Sequence, residues 1–261
     1  MVTAGRRSLS NFGDALNPLV IRELTGRSAQ WSQVGSADLV CIGSVLNDYL
    51  AARGQGLILG AGLRKPIDAA QKMLIDPAHV LSLRGTWTAA QLGVDPQATL
   101  GDPGLLIKNV IHKPRYRHGV TVIPHFSVLQ TRQGREAVSR LAQSATIVFP
   151  NEDPTTVAQT IAASDLVVTS SLHAIIFADA YGVPVQRTSF GVHGNHLEPD
   201  FKYEDYDSVF GVKSQAITRV AIDTPQGVAK HIDALSERTN AVKSQVDDVI
   251  NRLYAAAAPI R

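Results

Sequence analysis

Short apolar, β-branched runs alternate along this chain with longer amphipathic or wholly apolar segments, and glycines punctuate the joints. The most organised stretch is Ser164 to Pro184, SDLVVTSSLHAIIFADAYGVP. Leu166 to Val168 reads as a buried strand, Ser170 and Ser171 as N-cap residues and Leu172 to Tyr181 as a helix. Gly182, with Pro184 just beyond, supplies the stop. A strand running straight into a helix aims that helix's unpaired N–H groups into the crevice at the carboxyl edge of a parallel sheet, where anions bind. His173 stands at that mouth, either facing a ligand or as a capping or half-buried core histidine.

The same alternation recurs on both sides. Asn11 to Asp14 reads as a loop ending in a cap, followed by a helix from about Ala15 to Gly26. Before it, Val2 to Leu9 offers only a weak first strand. Asp38 to Gly43, Leu57 to Leu59 and Val80 to Leu83 read as strands, the last meeting Arg84. Val45 to Ala52 and Thr86 to Leu92 read as helices. From Lys108 to His118, KNVIHKPRYRH, the chain turns basic and loses its apolar period, which marks a linker. A second series follows: a strand over Gly119 to Ile123 ending at Pro124 and His125, a helix over Arg135 to Gln143, a strand over Thr146 to Phe149 and a helix over Thr155 to Ala163. This pattern predicts an α/β fold of parallel, doubly wound sheets. It divides into a Rossmann-like domain over residues 1–112 and a second over residues 113–261, with a ligand cleft between them. After Val185, RTSFGVHGNHLEPDFKYEDYDSVFG reads as a long loop. Val228, Ile232, Leu235, Val242, Val246, Val249 and Leu253 then recur at helical spacing, predicting one or two amphipathic helices packed on the core.

Composition narrows the function classes. The chain has 261 residues, 44% hydrophobic and 18% charged, enough for a large core. A formal charge of +2 and a pI near 8.7, without lysine- and arginine-rich stripes, argue against a nucleic-acid partner. The single cysteine, Cys41, lies in the apolar run ADLVCIG, so no disulfide framework is expected and a reducing compartment fits. Met1 to Ser10 lacks the pattern of a signal peptide and no apolar run reaches ~18 residues, so a cytoplasmic protein without a membrane span is expected. His193 and His196 are close together but lack further ligands, so no metal is expected. No GxSxG elbow is present, and the glycines of Gly60 to Gly62 lack the remainder of a dinucleotide fingerprint. What remains is a set of polar groups at strand ends: Asn11, Asp14, Arg84, His125 and Ser170 to His173.

Those residues fall within an ordered set of motifs. SNFGDALNP, LSLRGTWTA, LGDPGLL, VIPHF, SDLVVTSSLHAIIFADAYGVP and FKYEDYDS, from about Asn11 to Ser208, resemble the polysaccharide pyruvyl transferase family. No single motif is specific; the ordered set is. The resemblance implies two domains arranged as in GT-B glycosyltransferases, with phosphoenolpyruvate as donor. The acceptor it implies is a cell-surface or exopolysaccharide glycan, or its lipid-linked precursor. Pyruvate would be installed as a cyclic ketal on two sugar hydroxyls, releasing phosphate without a cofactor or obligatory metal. A lipid-linked acceptor would bring the protein to the inner face of the membrane by peripheral association.

Within that frame, the donor's carboxylate and phosphate call for a fixed cation and backbone donors. Arg84 and the turn of Ser170, Ser171 and Leu172 are expected to bind it, with Arg84 sharing one crevice with His173. His173 is the expected acid/base and His125 the second candidate. Many relatives carry arginine where this chain has Ser171, so Arg187 or Lys202 is expected to substitute. Asn11, Asp14 and Asp102 are expected on the acceptor side of the cleft, with capping of the first helix the alternative for Asn11 and Asp14. A cap or salt bridge is the alternative for Arg84. Two rival readings stand beside this one. One is a GT-B sugar-nucleotide glycosyltransferase in which Asp179 of ADAYGVP holds the nucleotide ribose. The other is a non-catalytic glycan-binding relative, suggested by Ser171.

Overall fold

The apolar runs pair into two parallel sheets. The computed structural model describes residues 2–4 as backbone, and residues 11–95, 99–217 and 220–261. The first series runs β1 (Val2–Ala4), α1 (Phe12–Ala15), α2 (Asn17–Thr25), β2 (Gln30–Ser32), β3 (Leu39–Val40), α3 (Leu46–Ala51), β4 (Leu57–Leu59), α4 (Ala69–Lys72), β5 (Val80–Ser82), α5 (Thr86–Leu92) and α6 (Ile107–Val110). The second runs β6 (Val120–Ile123), α7 (Phe126–Leu129), α8 (Arg132–Leu141), β7 (Thr146–Ile147), α9 (Pro154–Ala162), β8 (Leu166–Thr169), α10 (Leu172–Tyr181), β9 (Val185–Arg187), α11 (Phe201–Asp207), α12 (Pro225–Lys243) and α13 (Val246–Ala257). The sheets are ordered β2-β1-β3-β4-β5 and β7-β6-β8-β9, with every pairing parallel. Parallel pairing requires crossovers, and helices supply them.

Strands covered on both faces should read as continuous apolar runs. β6 and β8 do, being buried at every position. Their register sets Val122 beside Val168 and Ile123 beside Thr169, which brings the turns after both strands to the same edge. Side chains lock those turns together. Ser170 Oγ accepts the His125 N–H at 2.8 Å, and Thr169 Oγ1 accepts the Ser171 N–H at 2.8 Å while donating to the Ile123 carbonyl at 2.6 Å.

α10 leaves this edge with all ten residues buried. A helix apolar all round belongs inside, and α10 packs against α6, α9, α12 and the turn at Pro103–Leu106. One apolar cluster passes from Phe12 and Leu59 through Ile123 and Phe177 to Val249 and Leu253. α13 accordingly crosses back and packs on α2, β4 and β5.

Several expectations change in detail. The weak N-terminal stretch contributes β1, which pairs with both β2 and β3. The expected first helix is α2, with Pro18 near its start, and the loop expected before it holds α1, which Asn11 caps through its side chain. The segment after Val185 holds β9 and α11 rather than loop alone. The basic linker starts as α6 and is tied to the end of α10: Tyr181 Oη donates to the Ile111 carbonyl at 2.8 Å, and Arg117 donates to the carbonyls of Tyr181 and Gly182. Cys41 is buried, and that burial pushes its thiol pKa up.

Candidate functional site

A cavity of about 810 Å3 opens beyond the carboxyl ends of strands from both sheets. One wall comes from the first series: Asn11 and Asp14 beyond β1, Ser44 beyond β3, and Arg64 and Lys65 beyond β4. The second series contributes His125 and Phe126 beyond β6, Asn151 beyond β7, Ser171 to His173 beyond β8, and then Glu198 and Lys202.

His173 sits in the first turn of α10 with its ring laid over the backbone of Gly13, where a Cβ would overlap the imidazole. Its Nδ1 lies 3.3 Å from Asn11 Oδ1, which also accepts the Gly13 N–H at 3.0 Å. A carbonyl oxygen only accepts, so Nδ1 carries the proton and Nε2 the lone pair. His125 is the complement. Its Nδ1 accepts the Ser127 N–H at 3.3 Å and lies 2.8 Å from Ser127 Oγ, which puts the proton on Nε2. Burial, then the nearby Lys202 charge, lowers the pKa of each ring to about 3. For His173, Arg84 and then His125 add to the shift; for His125, Glu198 opposes it and Arg64 adds. Both rings are therefore neutral near pH 7.

Lys202 lies in the first turn of α11 and Glu198 precedes that helix. Glu198 Oε2 accepts from Lys202 Nζ at 2.6 Å, and its Oε1 accepts from Arg64 at 2.9 Å across the cavity. Oε1 also lies 3.4 Å from His125 Nδ1. Burial raises the Glu198 carboxyl, but Lys202 first and Arg64 as well overcome it, so its net pKa is lowered. Burial lowers Lys202 to about 8 despite Glu198, and Arg64 and Arg84 push it the same way. Beside this cluster α10 starts at Ser171, whose side chain makes no capping hydrogen bond.

Not all of the expected residues meet here. Asn11, Asp14, His125, Ser171, Leu172, His173 and Lys202 line the cavity; Arg84, Ser170, Arg187 and Asp102 do not. Arg84 is fully buried, and its guanidinium donates to Asp205 Oδ2 at 2.9 Å, Ser44 Oγ at 2.6 Å and the Leu63 carbonyl at 2.5 Å. The crevice that Arg84 was expected to share with His173 thus has Ser44, not the guanidinium, on its wall. Arg187 is turned away, paired with Asp200 at 2.6 Å and lying 3.6 Å over the Tyr203 ring, beside a small hollow that Ser170 also lines. Asp102 caps the turn at Pro103–Leu106, with Oδ1 accepting the Gly104 N–H at 2.8 Å. Its Oδ2 has no hydrogen-bond partner among the described residues, and burial, partly offset by Arg84, raises its pKa to about 6.

Sequence reasoning missed Glu198, Arg64 and Lys65. The separation of Glu198 and Lys202 by four positions was a usable signal; Arg64 had none beyond its place after the glycine turn. Among the described residues no group of three His, Cys, Asp or Glu side chains is placed to hold a metal ion, and no helix is long and apolar enough to cross a membrane.

Comparison with known proteins gives the following. The family model described as Polysaccharide pyruvyl transferase matches residues 3–185. An uncharacterized protein of Acanthamoeba polyphaga mimivirus is 36% identical over 122 residues, covering 44% of this chain and 41% of that protein. The Succinoglycan biosynthesis protein ExoV of Rhizobium meliloti (strain 1021) is 27% identical over 185 residues, covering 67% of this chain and 54% of ExoV. The chain spans about half or less of the length of these curated relatives. Among solved structures, the wall teichoic acid polymerase TagF aligns with 98% of this chain and 84% of its own, at 10% identity and a TM-score of 0.38. Glu198 and Lys202 lie beyond the segment matched by the family model.

Proposed function

Because the chain belongs to the polysaccharide pyruvyl transferase family, we propose that it moves the pyruvate moiety of phosphoenolpyruvate onto a sugar of an exopolysaccharide or cell-surface glycan, or of its lipid-linked precursor. The product is a cyclic ketal and the by-product phosphate. In this reading the two sheets are Rossmann-like domains of GT-B type that face each other across the cavity.

One observation carries the reading: the N-terminus of α10, where the Ser171 side chain makes no capping hydrogen bond, opens on the same cavity as Lys202 and Arg64. A helix start offers unpaired N–H groups and a partial positive charge, and two cations beside it suit a ligand with a carboxylate and a phosphate. Arg64 and Lys202 then supply the positive charge that Ser171 lacks. Nε2 of His173 takes the proton of the attacking sugar hydroxyl, and Nε2–H of His125 donates to the bound donor. Phe126, Leu129 and Pro150, with the polar Asn47 and Asn151, form the remaining wall and receive the sugar. Phosphoenolpyruvate is a co-substrate, so the reaction needs no resident cofactor. With a lipid-linked acceptor the protein works at the inner face of the membrane by peripheral association. The likeness to a succinoglycan biosynthesis protein supports a glycan acceptor.

The sugar-nucleotide alternative loses its motivating residue. Both oxygens of Asp179 are taken by Arg238, at 2.8 and 2.9 Å, and Tyr206 Oη donates to one of them. The non-catalytic reading rests on Ser171 alone. Incubation with phosphoenolpyruvate, with and without an oligosaccharide acceptor, tests the proposal. Phosphate release that depends on the acceptor, together with an acid-labile ketal on the sugar, is expected. Glycan binding without release of phosphate would favour the non-catalytic relative, and release of a nucleotide from a sugar nucleotide the glycosyltransferase.

A further inference from the structure

We infer that Lys202 is the group that protonates the methylene carbon of the donor, with Glu198 positioning it, an assignment that rests on the function proposed above. Converting a methylene to a methyl group requires an acid on the cavity wall. Neither imidazole fits that role near neutral pH. Burial and the Lys202 charge favour the neutral form of both rings, and in that form His173 offers a lone pair and His125 only a weakly acidic ring N–H.

Lys202 fits on geometry. It is 5% exposed, yet it lines the cavity. An ammonium has three N–H groups, and among the described residues only Glu198 accepts one of them. The other two remain for a ligand. Glu198 is itself gripped by Arg64 through its other oxygen, so the carboxylate that aims Nζ is held at both oxygens. The charged and titratable groups facing Lys202 are Glu198, Arg64, Arg84, His125 and His173, with the Tyr203 ring 5.1 Å away. Burial among those cations brings its pKa down to about 8, within the range where an acid is mostly protonated at pH 7 and still transfers its proton readily.

The step balances as follows. The C2–C3 π pair of the donor forms a C3–H bond with a proton of Lys202, whose N–H pair stays on nitrogen as a neutral amine. A sugar hydroxyl adds to the electrophilic C2 and its proton passes to His173 Nε2. The bond from C2 to the phosphate oxygen breaks, the pair leaves with phosphate, and His173 returns its proton to that leaving group. The second hydroxyl closes the ketal and its proton restores the ammonium of Lys202. The two hydroxyl protons thus end on C3 and on phosphate, and no oxidant or further reactant is needed.

The test begins with the wild-type protein, phosphoenolpyruvate and an oligosaccharide acceptor. If no ketal forms, the proposed function itself fails. With turnover in hand, Lys202→Arg keeps the charge but is a far weaker acid. A fall in kcat of at least ~100-fold with the donor KM within about threefold is expected. A raised KM with kcat intact would reduce Lys202 to an anion anchor and overturn the inference. Wild-type activity should fall as pH rises through about 8 as the ammonium is lost. In Glu198→Gln that limb should move to lower pH, because the carboxylate that favours the charged form is gone; an unmoved limb would overturn the assignment. Should the arginine fail to fold, Lys202→Ala with added small amines gives an independent readout. Rescue that varies with the pKa of the amine supports proton donation, and no rescue or rescue indifferent to pKa counts against it.

Discussion

Arg84 and Lys202 are both buried cations, each paired with a carboxylate supplied by the region around α11. Around Arg84 every direction is closed. Its guanidinium is shared among Asp205, Ser44 and the Leu63 carbonyl, while Asp205 also accepts the backbone N–H and hydroxyl of Thr88, each at 2.7 Å. Even the backbone is fitted to this nest, since a Cβ on Gly62 would overlap the guanidinium and one on Gly85 the Asp205 carbonyl. Around Lys202 only one N–H is taken among the described residues, and the cavity lies alongside. Burial alone does not separate a structural ion pair from a chemical one; the unused donors do. Arg84 fastens α5 to α11 and thereby sets the wall on which Lys202 stands.

The largest expected effect follows from opening the closed nest. Arg84→Met leaves Asp205 buried without its cation, which should cost about 3–5 kcal/mol. Urea unfolding would measure it, and a loss under about 1 kcal/mol would mean that Arg84 is not needed to hold Asp205 in the core. Lys202→Met should be milder, roughly 1–2 kcal/mol, because Glu198 keeps Arg64. Its activity, however, should fall far more than that of any variant of equal stability. If the two variants destabilise equally, the distinction between closed and open pairs has no energetic content.

The same contrast explains what could be read in advance. The parallel sheets were legible because buried strands need apolar runs, and Val120–Ile123 and Leu166–Thr169 are apolar or β-branched at every position. α10 was legible from Leu172 to Tyr181 because a mostly apolar segment ends at a left-handed Gly182. β2 was not, for its Gln30, Trp31 and Ser32 lie at a sheet edge and bury little. α11 was read as loop because its aspartates and lysine look like surface residues, whereas Lys202, Asp205 and Asp207 are buried through pairing. At the site, His173, His125 and Asn11 follow from strand-end position alone. Which of its two readings Arg84 follows was not legible because its partner Asp205 lies 121 positions away, and Arg64 was missed because Glu198 lies 134 positions away. Such pairings depend on tertiary structure and have no local periodicity.

A smaller perturbation tests the His173 side of the cavity without touching a charge. In Gly13→Ala the new methyl would occupy the space of the imidazole, forcing the ring away from Asn11. Alanine is the better helix former by roughly 0.5–1 kcal/mol, which offsets part of the overlap. A net loss of about 1–2 kcal/mol of stability with a kcat lowered by about 100-fold is therefore expected, since a displaced base loses its geometry. Unchanged turnover would show that the ring does not need its seat on Gly13.

The smallest effect expected is on pH dependence, at a carboxylate in neither pair. Asp102 has a folded pKa raised to about 6 from 3.8 by burial that Arg84 only partly offsets. The folded state therefore binds a proton that the unfolded state has already released. Its contribution to stability is fully present below about pH 4 and lost as pH rises through about 6. Two pK units correspond to at most about 3 kcal/mol, and an amide brings an unsatisfied N–H of its own, so Asp102→Asn should change stability at pH 7 by only about 1 kcal/mol. The slope tells more than the level. The neutral rings of His125 and His173, with folded pKa values of about 3 against 6.5, act in the opposite sense and lose stability as pH falls below 6.5. Subtracting the Asp102→Asn curve from wild type across pH 4 to 7 cancels the histidines and should leave a decline with rising pH. A flat difference would mean that the buried carboxylate is already charged at low pH, with its cation closer in effect than the nest around Arg84 allows.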